Sequence, residues 1–285
     1  MSAAGEPWRP GDPDTIVHGD SLEVARSLPD AAFRLIYLDP PFNTGKTQRR
    51  QRMTVTRAEE GRTGFGGRSY ATEGGAVSRY ADRFDDYWGF LEPRLVEARR
   101  LLDDAGTLYL HLDYREAHYA KVALDGLFGR ECFLNEIIWA YDYGGRSKRR
   151  WPAKHDTILV YVKDPERYYF DGEAVDREPY MAPGLVSPEK AERGKLPTDV
   201  WWHTIVPTNG RERTGYATQK PEGVLRRIVQ ASSAPGDPVL DLFAGSGTTG
   251  AVAAALGRPF LLVDSSAEAV AVMRARLPAA RVVTA

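Results

Sequence analysis

The segment Val239-Leu-Asp-Leu-Phe-Ala-Gly-Ser-Gly-Thr-Thr-Gly250 constrains the fold more than any other stretch of the chain. A short apolar run meets a Gly-x-Gly-x-x-Gly turn, which opens a helix of small residues from Thr248 to Leu256, stopped by Gly257. A strand passed into a helix through glycines is the start of a β/α unit, and repeated units of that kind build a mostly parallel sheet. The rhythm recurs elsewhere. Apolar runs predict strands at Thr15 to His18, Arg34 to Leu38, Thr107 to Leu112, Asn135 to Ala140, Thr157 to Val162, Val239 to Leu242 and Phe260 to Asp264, seven in one sheet. Between them lie helix-period segments: Leu91, Leu95, Ala98 and Leu102 form one stripe, and Pro221 opens a helix carrying Leu225, Ile228 and Val229. The fold class is α/β. Two stretches lack a period, Thr44 to Tyr80 and Lys163 to Gly215, and loops of that length within a compact domain are functional or disordered.

The 285 residues exceed one average domain and fall short of two, which suits one core with an added lobe. The 38 Lys and Arg nearly cancel the 39 Asp and Glu, so any case for a nucleic-acid partner must rest on where the charges sit. A single cysteine, Cys132, excludes internal disulfides and thiolate metal clusters. No window approaches the roughly 18 apolar residues of a membrane span and the first residues lack a signal pattern, so the sequence reads as a soluble cytoplasmic protein without a metal.

The glycine loop brings backbone N–H groups and a helix N-terminus to a ligand. A dinucleotide fingerprint runs almost directly from strand to first glycine, whereas here Asp241 ends the strand and Leu-Phe-Ala intervenes. The added carboxylate suits a cationic ligand such as S-adenosylmethionine, which carries an ammonium and a sulfonium. No Gly-Lys-Ser/Thr follows, which argues against a phosphate loop. Asp264 ends the next strand, where a carboxylate can accept both ribose hydroxyls, and it can also cap the following helix. Phe243 can lie against an adenine or belong to the core.

A second strand, Arg34 to Leu38, runs into Asp39-Pro40-Pro41-Phe42-Asn43. Two prolines remove two donors and stiffen the chain, leaving an acceptor-rich wall. An exocyclic base amine fits such a wall, because its lone pair is delocalised into the ring until acceptors hold its hydrogens. The Asp39 carboxylate and the Pro40 carbonyl are the expected acceptors, and Phe42 the expected stacking partner of a base turned out of the duplex. In open α/β sheets ligands bind beyond the carboxyl ends of the strands, and Asp20, Asp39, Asp241 and Asp264 all occupy such ends. Asp20 can equally cap the helix from Leu22 to Leu28.

With these loops in place the chain resembles the amino-methylating (N6-adenine or N4-cytosine) DNA methyltransferases of bacterial modification systems, in the permuted group (beta class) whose catalytic loop precedes the cofactor loop. The likeness is carried by Gly19-Asp20 with Leu28-Pro29-Asp30, Asp39-Pro-Pro-Phe-Asn-Thr-Gly45, Asn135-Glu-Ile-Ile-Trp139, Lys154-His-Asp-Thr-Ile-Leu-Val-Tyr161, Thr218-Gln-Lys-Pro221 and Asp241 to Thr249. It implies a circularly permuted Rossmann-like core with an antiparallel hairpin. It also implies S-adenosylmethionine at Asp241, Phe243, Ala244, Gly245, Ser246, Gly247, Thr248, Thr249 and Asp264, with Thr218 and Lys220 near its methionine end; Asp20 is assigned to the cofactor from its place on the same rim. Catalysis would fall to Asp39, Pro40, Pro41 and Phe42. The domains expected are 14–162 for the catalytic half with a mobile loop at 44–80, 163–215 for target recognition, and 216–285 for the cofactor half. An Asp-initiated loop is associated in this family with adenine N6 and a Ser-initiated one with cytosine N4, which keeps N4 as the alternative. RNA amino-methyltransferases and nicotinamide oxidoreductases are more distant ones.

For double-stranded DNA two basic segments stand out. Residues 44–80 hold Lys46, Arg49, Arg50, Arg52, Arg57, Arg62, Arg68 and Arg79 against Glu59, Glu60 and Glu73. Tyr141 to Lys154 interleaves aromatics with Arg146, Lys148, Arg149, Arg150 and Lys154. Neither the oligomeric state, with a homodimer as candidate, nor a companion restriction endonuclease is legible in the sequence.

Overall fold

The computed structural model describes residues 8–43, 46–63, 69–82, 86–143, 146–207 and 209–285, with backbone alone from 46 to 82. The chain divides into two compact units, Met1–Pro40 with Trp88–Ala285, and Pro41–Tyr87.

The first unit is built on one sheet. Its strands are β1 (Thr15–His18), β2 (Phe33–Leu38), β5 (Leu102–Leu112), β6 (Phe133–Ala140), β7 (His155–Val162), β8 (Val200–Trp202), β9 (Val239–Asp241), β10 (Phe260–Asp264) and β11 (Arg281–Thr284), the labels β3 and β4 being kept for the second unit. They lie in the order β11-β1-β10-β9-β2-β5-β7-β6-β8. From β11 to β5 every pairing is parallel, β7 runs against both β5 and β6, and β8 pairs parallel with β6. Central strands such as Phe260-Leu-Leu-Val263 are buried along their length, as strands covered on both faces must be. The sheet has nine strands where the sequence predicted seven. The additions are the two edges, β8 and β11, and both are short. Their residues are largely exposed, so neither produces an apolar run to read.

The helices follow their caps. Asp20 caps α1 (Ser21–Ser27) by accepting from the N–H groups of Leu22 and Glu23, and Ser266 caps α7 (Ala267–Arg276) through Ala269. Helix α5 (Glu222–Ser232) buries Val224, Leu225, Ile228 and Val229, and α6 (Thr248–Ala255) buries Val252 and Ala253 in the same core. Helices α2 (Tyr87–Leu101), α3 (Ala117–Phe128) and α4 (Pro188–Arg193) complete the set. Residues 163–202 run back to α5: Asp171 N–H donates to the Ala231 carbonyl at 2.8 Å, and Asp176 and Gln230 exchange hydrogen bonds. No described helix is long and apolar enough to cross a membrane.

The second unit holds an antiparallel pair, β3 (Lys46–Thr63) with β4 (Ser69–Asp82). This corrects the expectation of an aperiodic loop at 44–80. The strands carry Gly, Arg and Glu in place of alternating apolar residues, so the period-2 signal that marks a half-buried strand is absent. Arg49 registers with Arg79 and Arg50 with Ser78. The side chains of residues 44–85, including Arg49, Arg50 and Arg52, lie outside the described part of the structure, and with them the expected DNA contacts.

Candidate active site

Parallel pairing brings the two motif loops together. Tyr37 of β2 registers with Asp241 of β9, and Leu262 of β10 registers with the same Asp241. Asp39 and Asp264 each lie two residues further on, so the alternation of a strand directs all three carboxylates to one face at one rim. Their mutual influence follows: Asp39 and Asp264 both act electrostatically on Asp241.

Each acid has a distinct environment. Asp241 is 2% exposed, with one oxygen accepting from the Phe243 N–H at 2.9 Å and the other from the Thr249 hydroxyl at 2.6 Å. Burial drives its carboxyl up to about 7 against those hydrogen bonds, with repulsion from Asp39 and Asp264 adding to the rise. Asp241 therefore ties the glycine loop to its own helix. Asp264 accepts from Gly245 N–H and Ser266 N–H, both at 2.8 Å, and burial raises it despite these bonds. Asp20 divides its oxygens between the α1 cap and Arg94, whose Nη2 lies 2.9 Å away, so its structural role accounts for both.

The loop between them is shaped for close approach. Gly245 and Gly247 adopt φ of 50° and 72°. A Cβ on Gly245 would stand 3.1 Å from the Tyr216 ring, and one on Gly247 would stand 2.8 Å from Met273. Ala244 N–H donates to Val263, and the Ser246 and Thr248 hydroxyls meet at 3.1 Å. Thr248 also donates to the Lys220 carbonyl at 3.0 Å. Phe243 is half-buried and tilted against Phe90 at 5.9 Å, the ring that carries Arg94 at 4.0 Å on its face, so it forms a wall at the rim. Thr218 is exposed.

Asp39 is the most informative residue. Oδ2 forms an ion pair with the Lys220 ammonium, while Oδ1 is buried with no hydrogen-bond partner among the described residues. A buried acceptor left open beside a stiff loop is preorganised to take a hydrogen from something that arrives. Pro40 is buried in the same unit; Pro41 and the half-buried Phe42 open the second unit.

Beneath the rim runs a buried polar chain. The Tyr37 hydroxyl meets His111 Nδ1 at 2.7 Å, His111 Nε2 meets Asp156 at 3.3 Å, and the Tyr141 hydroxyl donates to Asp156 at 3.0 Å. Burial works to raise Asp156, but the hydrogen bond and charge of His111, with Lys220 and Tyr141, hold it below its ordinary value. Tyr141, one of the residues expected to contact DNA, has its hydroxyl engaged and its ring 5.2 Å from Trp139. Beyond it, Arg146, Lys148, Arg149, Arg150 and Trp151 are exposed, and Arg150 reaches the Tyr114 hydroxyl at 3.4 Å. Lys154 donates to the Asp142 carbonyl and closes the neck of this tip. The paired tryptophans separate: Trp201 is core and Trp202 is 73% exposed.

Three residues of the site escaped sequence reasoning. Tyr216 lies over Gly245, Arg276 binds Thr248, the Ser246 carbonyl and Glu222, and Phe90 backs Phe243. None stands in a motif, and each reaches the site from a distant part of the chain. Among the described residues no group of His, Cys, Asp and Glu could hold a metal ion.

Comparison with known proteins agrees with this geometry. A family model described as DNA methylase, of the N6/N4 type, matches residues 33–275. DNA adenine methyltransferase YhdJ of Escherichia coli is 32% identical over 277 residues, covering 94% of this chain and 84% of the relative. Among solved structures, the PvuII DNA methyltransferase (cytosine-N4-specific) superposes with a TM-score of 0.63 at 15% identity, covering 96% and 90% of the two chains. The M1.HpyAVI-SAM complex superposes at 0.59 and 20%, covering 92% and 98%. A matched family model over most of its length and a relative of this similarity place the chain in the N6/N4 family of DNA methylases.

Proposed function

We propose that the chain is a site-specific DNA methyltransferase that methylates the N6 amine of an adenine turned out of the duplex. S-adenosylmethionine is the methyl donor, supplying an electrophilic methyl on a sulfonium. The residues present suit it: Asp264 brings a carboxyl to the rim, Gly245 and Gly247 hold the turn in the left-handed conformation, and Phe243 with Phe90 offers an aromatic wall.

The observation that carries the reading is the half-satisfied Asp39. Its open Oδ1 accepts one amine hydrogen, and the Pro40 carbonyl is the second acceptor. With both hydrogens held, the nitrogen lone pair is released from the ring and points along the line of transfer. The carbon–nitrogen bond forms as the carbon–sulfur bond breaks, sulfur keeps the electron pair, and the methylated nitrogen sheds one proton. Phe42 stacks on the base, and the exposed basic tip from Arg146 to Arg150 contacts phosphates. In this reading residues 163–215 serve target recognition.

Adenine is favoured by the Asp-initiated loop and by a relative named as an adenine methyltransferase. Cytosine N4 is the second reading, supported by a fold neighbour named as cytosine-N4-specific. Digestion of DNA treated with the enzyme, followed by mass spectrometry of the nucleosides, separates them: N6-methyladenine is expected, and N4-methylcytosine alone would overturn the assignment.

A further inference from the structure

Lys220 and Asp39 are 181 residues apart in sequence and pair at the rim, with side chains 12% and 14% exposed. We infer that Lys220 is a positioning residue for Asp39: its ammonium holds one carboxylate oxygen and fixes the plane of the group, so that the other oxygen alone meets the base amine. The inference rests on the methyl-transfer reading above and departs from the expectation that Lys220 serves the cofactor.

The ammonium is delivered from a braced segment. The Gln219 side chain accepts from Thr214 and donates to the Glu212 carbonyl, the Glu212 carboxylate accepts from the Glu222 N–H, and the Lys220 carbonyl accepts from Thr248. Arg276 then fastens Thr248 to Glu222. A lysine is a flexible side chain, but here its backbone is tied to both the glycine loop and α5, so the approach to Asp39 is restricted.

The surroundings explain why a cation is needed. The groups that face Asp39 are Lys220, the Asp241 carboxyl on β9, the Tyr37 hydroxyl on β2 and the Tyr216 hydroxyl of the braced segment. Asp156 on β7 lies within the field of Lys220 as well. Lys220 is the cation of that set, and the others are acids or neutral hydroxyls. Without it, both Asp39 oxygens lie beside the Asp241 carboxyl with no partner among the described residues, and nothing fixes which of them meets the amine.

The test uses the full chain with unmethylated plasmid DNA and methyl-labelled S-adenosylmethionine. Lys220→Gln and Lys220→Arg are assayed for kcat and KM, with cofactor affinity by calorimetry and folding by thermal melt. Lys220→Gln is expected to lose about 100-fold in kcat, as loss of one partner of a buried pair does. Its cofactor Kd should stay within about 3-fold of wild type, because the loss falls on transfer and spares ground-state binding. Lys220→Arg should recover at least a tenth of wild-type kcat. A Gln variant whose cofactor Kd weakens as much as its kcat falls overturns the inference and returns Lys220 to the cofactor. So does an unchanged kcat, and if the Gln variant fails to fold, an Arg variant with weakened cofactor binding and no kcat defect decides against it. Wild-type protein that labels no DNA would instead remove the methyl-transfer reading.

Discussion

Asp241→Asn should stabilise the cofactor-free protein in a pH-dependent way. The native carboxyl is raised from 3.8 to about 7 by burial, so between those values the folded state holds a proton that the unfolded chain has released. Native stability therefore falls as pH rises through that window, and above it the full penalty is present. The cost is on the order of 1 to 2 kcal/mol at pH 5 and about 4 kcal/mol at pH 8, from the raised value and 1.36 kcal/mol per tenfold. Asparagine is isosteric and uncharged. Its oxygen can accept from Phe243 N–H, and its amide can donate to the Thr249 hydroxyl, which rotates to accept, so neither contact need be lost. The expected result is a melting temperature above wild type at pH 8 by several degrees, and a smaller gain at pH 5. Differential scanning fluorimetry of both proteins without cofactor measures it. An equal gain at the two pH values, or none, would show that Asp241 does not carry this buried charge. Cofactor affinity should move the other way, because the variant removes a negative charge from the rim.

Replacing Arg146, Lys148, Arg149 and Arg150 with Gln should weaken binding to duplex DNA and reduce the slope of log affinity against log salt by about 0.9 for each phosphate contact removed. An unaltered slope in a fluorescence-anisotropy titration would assign the tip to solvent. Gly250→Ala places a methyl 2.6 Å from Leu262 and 3.1 Å from Leu277, both within the core. Overpacking of that kind should cost about 1 to 3 kcal/mol in urea unfolding, and a midpoint equal to wild type would mean that α6 and β10 pack less tightly than described.

Most of the strands that the sequence disclosed are buried on both faces, because continuous apolar runs leave a signal wherever they occur; β6, with Asn135 and Glu136 exposed, is the exception. β10 is read from Phe260 to Asp264 to the residue, and β1 likewise. Edges β8 and β11 are short and largely exposed, and β3 and β4 lack alternating apolar residues, so none of them leaves an apolar run to read. The rim of acids was legible for a related reason: strand ends carry Asp241, Asp264 and Asp39, and parallel topology gathers strand ends. What each acid does was not. Asp20 and Asp241 have most of their acceptor capacity taken by local N–H groups, a hydroxyl and Arg94, while Asp39 keeps an oxygen open because its partner comes from the far side of the sequence. Such pairings depend on tertiary placement, which spacing cannot encode.

The chain from Tyr37 through His111 to Asp156 draws one hydrogen-bonding group from each of three adjoining strands, β2, β5 and β7, and Tyr141 adds a fourth from just past β6. During folding this works as a check on alignment. If any of the strands slides by one residue, its member turns to the opposite face and its neighbours are left with buried polar atoms and no partner, each costing about 1 to 3 kcal/mol. A row of aliphatic side chains would tolerate such a slip far better, since one apolar residue replaces another at little expense. Misaligned intermediates are thus selectively unstable, and the sheet that sets Asp39 beside Asp241 settles in a single register.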